Sequence, residues 1–330
     1  MTVLSHEKQI LEVEQTLAKL KSQNVFSSDE MTEMEQKLST LKKTVYSNLL
    51  PWDRVAICRH PQRPHSIDYI QNCVEDFVEI FGDRTYQDDH AIIAGLGKIN
   101  GEKFMIIAQE KGNTTESRLY RNFGMPHPEG YRKAMRCMHL AAKFDLPVVC
   151  LLDTPGAYPG LAAEERGQGW AIAKNLLEMA RLPTPIIVIV IGEGCSGGAL
   201  GIGIGDCLGM LEHSYYSVIS PEGCSSILWK DASKNALAAA TLKMQSENLL
   251  ELGVIDTIIP EPLGGAHLNP KIAFQNVKSY ILEQWNALKS IEIDTLIENR
   301  YQKFRKIGKF EEDLNVGSSN ETIITRSTPE

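Results

Sequence analysis

The chain has 330 residues, a hydrophobic fraction of 43% and a formal net charge of −8 at pH 7. That is enough apolar material for a domain of about 100–200 residues with additions, and the acidic balance, with no Lys/Arg block, speaks against a nucleic-acid binder. The longest wholly aliphatic run, 186–191, is far short of the ~20 residues a membrane helix needs. The polar start MTVLSHEKQI has no secretory-signal pattern, so a cytoplasmic protein is expected.

Two amphipathic helices are predicted in the first fifty residues. Ile10, Val13, Leu17 and Leu20 repeat at three- and four-residue steps, as do Met31, Met34, Leu38, Leu41 and Val45. Between them, Ser27-Ser28-Asp29-Glu30 offers an N-cap and a capping-box Glu. Such a hairpin either packs on its own domain or docks a second subunit. PWDRVAICRHPQRP, 51–64, reads as a proline-broken linker carrying Arg54, Arg59, His60 and Arg63.

Strand and helix patterns then alternate. AIIAGLGKI and FMIIAQE flank Asn100-Gly101, a good hairpin dipeptide. PEGYRKAMRCMHLAAKF is a helix, LPVVCLLD a buried strand, GQGWAIAKNLLEMARL a helix and TPIIVIVI a second buried strand. GGALGIGIGD starts a helix, SYYSVIS is a strand, and ASKNALAAATLKMQSENLLELG and KIAFQNVKSYILEQWNALKSI are helical. Two strands apolar throughout, alternating with helices, predict an α/β core whose largely parallel sheet is covered on both faces. The tail from Gly317 is too polar to pack.

LLDTPGAYPG and GEGCSGGAL each follow an apolar strand, so both loops belong to the ligand-binding edge of one sheet. The second loop has three readings. As G-x-G-x-x-G it lacks a first βαβ unit and a well-spaced acid, Glu222 lying slightly too far on. As G-x-S-x-G it would need a base for Ser196, or for Cys195, and none can be placed by spacing. The third reading uses main chain alone: Gly197 and Gly198 open a helix, and their bare N–H groups can hold a developing negative charge. That reading leads, because it suits the enolate of an acyl thioester.

The seven cysteines form no C-x-x-C pair and have no His at zinc-ligand spacing, so no metal is expected on this chain. Other candidates have plain alternatives. Gly156 and Ala157 either line a pocket or form a tight turn. Arg166 is either a cation for a substrate or half of a surface pair with Glu164 or Glu165. Glu193 orients the loop or faces solvent, and Arg132 and Lys133 meet phosphates or water. His139 is a core or surface residue rather than a base.

GEGCSGGAL, LLDTPGAYPGLAAEERGQ, RNFGMPHPEGYRKAMR, YSVISPEGCSSILWK and IIPEPLGGAHLNP together resemble the α-subunit family of bacterial acetyl-coenzyme A carboxylase carboxyltransferases. The resemblance runs from the LEVEQTLAKL helix to about residue 305. It implies a crotonase-like α/β spiral of ββα units at 51–295. Around this lie the N-terminal helical hairpin at 1–50, for subunit docking, and a C-terminal helix end and tail at 296–330. It implies a zinc-ribbon-bearing β subunit as partner, commonly in an α2β2 assembly. Carboxyl transfer would run from carboxybiotin, on a biotin carboxyl carrier protein, to acetyl-CoA, giving malonyl-CoA for fatty-acid synthesis. ATP would be used by a separate biotin carboxylase.

Carried over, the oxyanion hole for biotin falls at Gly197, Gly198 and Ala199, with Gly156, Ala157, Gly194 and Arg166 around the pocket. The sequence departs from the family at Cys195, often Gly, and at Gly201, often Ala. KGNTTESR replaces a charged stretch, which affects Asn113 and Thr114, and Trp170 is bulkier than usual. An acyl-CoA hydratase or isomerase, and a non-catalytic scaffold subunit, are the alternatives.

Overall fold

The computed structural model describes residues 4–23 and 28–308. Ser27, read above as a helix cap, and the tail from Gly317 lie outside them. Eight strands form one sheet: β1 (Glu75–Glu79), β2 (Ile92–Ile99), β3 (Glu102–Gln109), β4 (Val148–Thr154), β5 (Ile186–Cys195), β6 (Cys207–Leu211), β7 (Tyr215–Ser217) and β8 (Thr257–Ile259). Their order is β1-β2-β3-β4-β5-β6-β8, with β7 paired to the far end of β5. The first three strands are antiparallel, and from β3 onward every pair is parallel. Asn100 and Gly101 both take positive φ, as a two-residue turn between right-twisted strands requires.

The apolar runs of β4 and β5 are explained by burial on both faces. Val148, Cys150 and Leu152, with Ile186, Val188 and Val190, pack under the helices Pro128–Lys143 and Gln168–Arg181. Val149 and Leu151, with Ile187, Ile189 and Ile191, pack against Ser66–Cys73 and Pro270–Leu288. Each such side chain contributes roughly 1.5–3 kcal/mol on leaving water. The C-terminal helix Ile293–Arg305 is pinned by Arg300, whose buried guanidinium pairs with Asp206 at 2.7 Å and donates to the carbonyls of Met179, Leu182 and Thr184. Those carbonyls end one helix and lead into β5, so one side chain ties the C-terminal helix to that junction.

Two expectations are corrected. The proline-rich stretch after residue 50 is not a linker: Pro51–Cys58 is a helix. Pro51 sits in its first turn, where no N–H is missed, and Asp53 accepts from the Leu50 amide at 3.1 Å. The long helix predicted from Ala232 is broken into Asn235–Thr241 and Ser246–Glu251. The break is used by the sheet, because the Met244 carbonyl accepts from the Tyr216 amide at 3.1 Å and Gln245 bridges Tyr215. In the N-terminal hairpin, Lys8–Gln23 and Ser28–Ser47 are joined by Lys21–Glu35 and Lys42–Glu14 ion pairs, each 2.5 Å. At its base Tyr46 donates to Glu7 at 2.9 Å.

Candidate active site

β4 and β5 are parallel neighbours, with Leu152 opposite Val190 and Thr154 opposite Gly194, so the loops that follow them leave the same edge. After β4, the Gly156 amide donates to the Thr154 hydroxyl at 3.0 Å, and Gly156 takes φ +145°, open only to glycine without strain. After β5 the chain turns at Ser196, φ +56°, into the short helix Ser196–Leu200. Cys195 at its N-cap makes no side-chain capping bond, and the first amides of a helix have no acceptor within it.

The two loops touch. A Cβ on Gly198 would lie 2.4 Å from the Gly156 carbonyl carbon and 2.5 Å from the Ala157 nitrogen. Beside this contact opens a cleft of about 450 Å³, walled by Gly156, Ala157, Ser196, Gly197, Ile172 and Val218. Tyr158, stacked on His127, stands at its rim. Behind the turn, the Gly198 carbonyl accepts from Gln109 Nε2 at 2.7 Å and from the Tyr131 hydroxyl at 3.2 Å.

Beneath the same strand ends lies a buried charge cluster. Asp153, next to last in β4, meets Lys111 at 2.7 Å and His65 Nδ1 at 3.1 Å, and accepts from the Glu193 amide at 3.0 Å. Glu193 is bonded to Lys111 and the Tyr215 hydroxyl and pairs with Arg59 at 2.7 Å; Arg59 also reaches Glu222 at 2.5 Å. Burial alone would raise both carboxyls. For Asp153, Lys111 and His65 outweigh burial and hold the group well below the usual carboxylate range. For Glu193, Lys111 and Arg59 bring it down to about 2. Gly192 makes room for this cluster, since a Cβ there would meet Asp153 Oδ1 at 2.3 Å.

The structure therefore gathers Gly156, Ala157, Gly197 and Gly198 at one cleft. Gly194 lies inside β5, its missing Cβ filled by the Tyr216 ring at 2.7 Å, and Ala199 is buried behind the turn. Arg166 points elsewhere: it pairs with Glu129, not Glu164 or Glu165, and covers the Tyr86 ring at 4.8 Å. Arg132 and Lys133 are held by Asp83 and Asp88, each at 2.7 Å, and His139 is at the surface near Glu178. Cys195 has φ −110°, and burial pushes its thiol up to about 11. No histidine is among the described residues that line the cleft, and its one carboxylate, Glu164, is exposed.

Sequence reasoning passed over Gln109, Tyr131, Lys111, His65 and Asp153. A signal was present for two of them: Asp153 ends the apolar run of β4 and Lys111 comes two residues after β3, and a charge placed there must be paired.

Comparison with known proteins places this geometry. Residues 3–308 match the family described as acetyl co-enzyme A carboxylase carboxyltransferase-like. The chain belongs to that family. Acetyl-coenzyme A carboxylase carboxyl transferase subunit alpha of Protochlamydia amoebophila is 61% identical over 313 residues, covering 94% of this chain and 99% of its own length. The Chlamydia pneumoniae protein of that name is 58% identical over 315 residues, covering 94% and 97%.

Among solved structures, transcarboxylase 12S with hydrolyzed methylmalonyl-coenzyme A bound matches at TM-score 0.56 and 18% identity, over 73% of this chain and 46% of its own. The β subunit of Pseudomonas aeruginosa geranyl-CoA carboxylase gives 0.54 and 14%, over 74% and 46%. The family fold is thus the α/β, crotonase-like fold of carboxyltransferases, and the chain is an α subunit of such an enzyme.

Proposed function

We propose that this subunit holds carboxybiotin, carried in trans by a biotin carboxyl carrier protein, at the Gly197–Gly198 turn while its carboxyl group passes to acetyl-CoA to give malonyl-CoA. The observation that carries the reading is the contact of the two strand-end loops, which sets bare amides beside a cleft. The residues fit biotin: the 450 Å³ cleft has apolar walls at Ile172 and Val218, and no Cβ at Gly156, Gly197 or Gly198 blocks its approach to the amides. Bound there, carboxybiotin would supply an activated carboxyl group, with negative charge developing on its ureido oxygen. The Gly197 and Gly198 N–H groups would meet that charge preorganised, with Ala199 next in line. One such donor is worth ~3–4 kcal/mol in the transition state. Gly156 and Ala157 shape the opposite wall.

The acetyl-CoA site is completed by a zinc-ribbon-bearing β subunit, in an α2β2 assembly to which the hairpin at 1–50 contributes docking surface. Val218, on the cleft wall and 74% exposed, with Leu161 and Trp170, 76% and 79% exposed and close in the chain to the lining residues Pro159 and Gly169, supports a partner that covers it. ATP is spent by a separate biotin carboxylase, and the assembly works in the cytoplasm for fatty-acid synthesis. Malonyl-CoA should form from acetyl-CoA and a free carboxybiotin analogue only when the β subunit is added. Hydration of crotonyl-CoA by the chain alone would overturn the reading, as would full transfer by a Gly198→Val complex.

A further inference from the structure

The turn that carries the amides cannot hold its own direction. It is a single helical turn of five residues, two of them adjacent glycines, the residue with the most backbone freedom. One turn is also too short to be stable by its own hydrogen bonds. We infer that Gln109 and Tyr131 are positioning residues that clamp the Gly198 carbonyl from behind and so aim the amides of the turn into the cleft; this rests on the reading of Gly197–Gly198 given above.

The geometry is specific. In a trans peptide the C=O and N–H point in opposite directions. Holding the Gly198 carbonyl, by Gln109 at 2.7 Å and Tyr131 at 3.2 Å, fixes the plane of the peptide it shares with the Ala199 N–H. The helical turn aligns the Gly197 and Gly198 amides with it. Both clamping side chains are wholly buried, so water does not compete for the carbonyl.

Gln109 does more than donate. Its Oε1 accepts from the Asp153 amide at 3.2 Å, so one side chain spans the end of β4 and the turn after β5. A primary amide accepts at its oxygen and donates from its nitrogen without carrying charge. Tyr131 is itself held, because Asn175 Nδ2 donates to the carbonyls of both Tyr131 and Gly201, each at 2.9 Å. Gly201 leaves room for the Tyr131 ring, which a Cβ there would meet at 2.4 Å. Burial keeps the Tyr131 hydroxyl protonated and therefore a donor.

The test uses the complex with its β partner and free carboxybiotin analogue. Gln109→Met keeps the shape and removes the donor; Tyr131→Phe removes only the hydroxyl and guards against failure to fold. Leaving a buried carbonyl short of a donor should lower kcat per assembled complex about tenfold for Gln109→Met and roughly threefold for Tyr131→Phe, with KM for acetyl-CoA unchanged. Amide hydrogen exchange across 192–203 should quicken in both, while the Pro128–Lys143 helix exchanges as before. Wild-type kcat and unaltered exchange in both variants would overturn the clamp. Gly198→Val separates the two ideas: if it keeps transfer, the amide reading itself fails. If it loses transfer while Gln109→Met and Tyr131→Phe do not, only the clamp fails.

Discussion

The glycine turn at 196–200 follows β5, and the charge cluster of Lys111, Asp153 and Glu193 spans the ends of β3, β4 and β5 beside it, yet the two are built from opposite materials. The cluster is made of long charged side chains buried in mutual pairs. The turn is made almost of backbone alone, and its reach into the cleft depends on side chains being absent. Charge at the strand ends thus serves the frame, while dipoles from uncharged amides are left for the ligand. Amides suit that role because they are fixed in place and neutral, and so cost little to bury until charge develops opposite them.

If this division holds, changes in the two regions should fail in different ways. Lys111→Met leaves Asp153 and Glu193 buried with fewer partners, and removing one member of a buried pair costs about 3–5 kcal/mol. Urea unfolding should show that loss, and a midpoint close to wild type would mean the cluster is already well solvated. Gly198→Ala should act on rate instead. Its methyl must displace the backbone of Gly156 and Ala157, and losing one aligned donor lowers kcat by about 10²–10³. Gly197→Ala is the control, because there a Cβ meets only the Ile172 side chain at 3.6 Å. It should lose less than about tenfold in kcat. Equal losses at 197 and 198 would erase the distinction between the two glycines.

The cluster also has a pH signature that the turn lacks. Glu193 is held near 2, below its ordinary 4.5, so its contribution is present above 4.5 and is lost as pH falls toward 2. His65 runs the other way. Burial disfavours its charge, but Asp153 outweighs burial and raises it above 6.5. Its contribution is present below 6.5 and fades as pH rises through the raised value. Thermal midpoints measured across pH should fall on both flanks, and His65→Gln should flatten the alkaline one. An unchanged alkaline flank in that variant would remove His65 from the account.

Much of this frame was legible because it follows local rules. Unbroken apolar runs at β4 and β5 announced strands buried on both faces, and a Gly- or Pro-rich loop after each announced a shared edge. The helix Pro51–Cys58 was misread because proline breaks a helix only beyond its first turn, and the cap at Asp53 is a weak signal. The break at 242–245 was hidden because the Ala-rich pattern is helical by propensity, and a sheet contact 28 residues away overrides it. Arg166 was read as a pocket cation or as a partner of Glu164 or Glu165, whereas it pairs with Glu129, 37 residues distant. Gln109 and Tyr131 gave no signal at all, since each reads as an ordinary strand or helix residue until the Gly198 carbonyl is brought beside it.

The finest contrast lies within the turn itself, between its amides and its two reactive-looking side chains. Ser196 is exposed and in a left-handed conformation, the posture of a displayed nucleophile. Activation needs a base, however, and no histidine is among the described residues that line the cleft. Cys195 is buried, and with its thiol raised to about 11 it stays protonated at neutral pH, so it is a poor nucleophile. Ser196→Ala should therefore keep kcat within about twofold, as an exposed change shifts stability by no more than ~0.5 kcal/mol. Cys195→Ala removes buried volume and should cost about 1–2 kcal/mol of stability while sparing kcat in the assembled complex. Both are read from single-turnover transfer alongside thermal melting. A fall of about tenfold or more in Ser196→Ala, with an unchanged melting midpoint, would return the hydroxyl to the chemistry and leave the amides a supporting part.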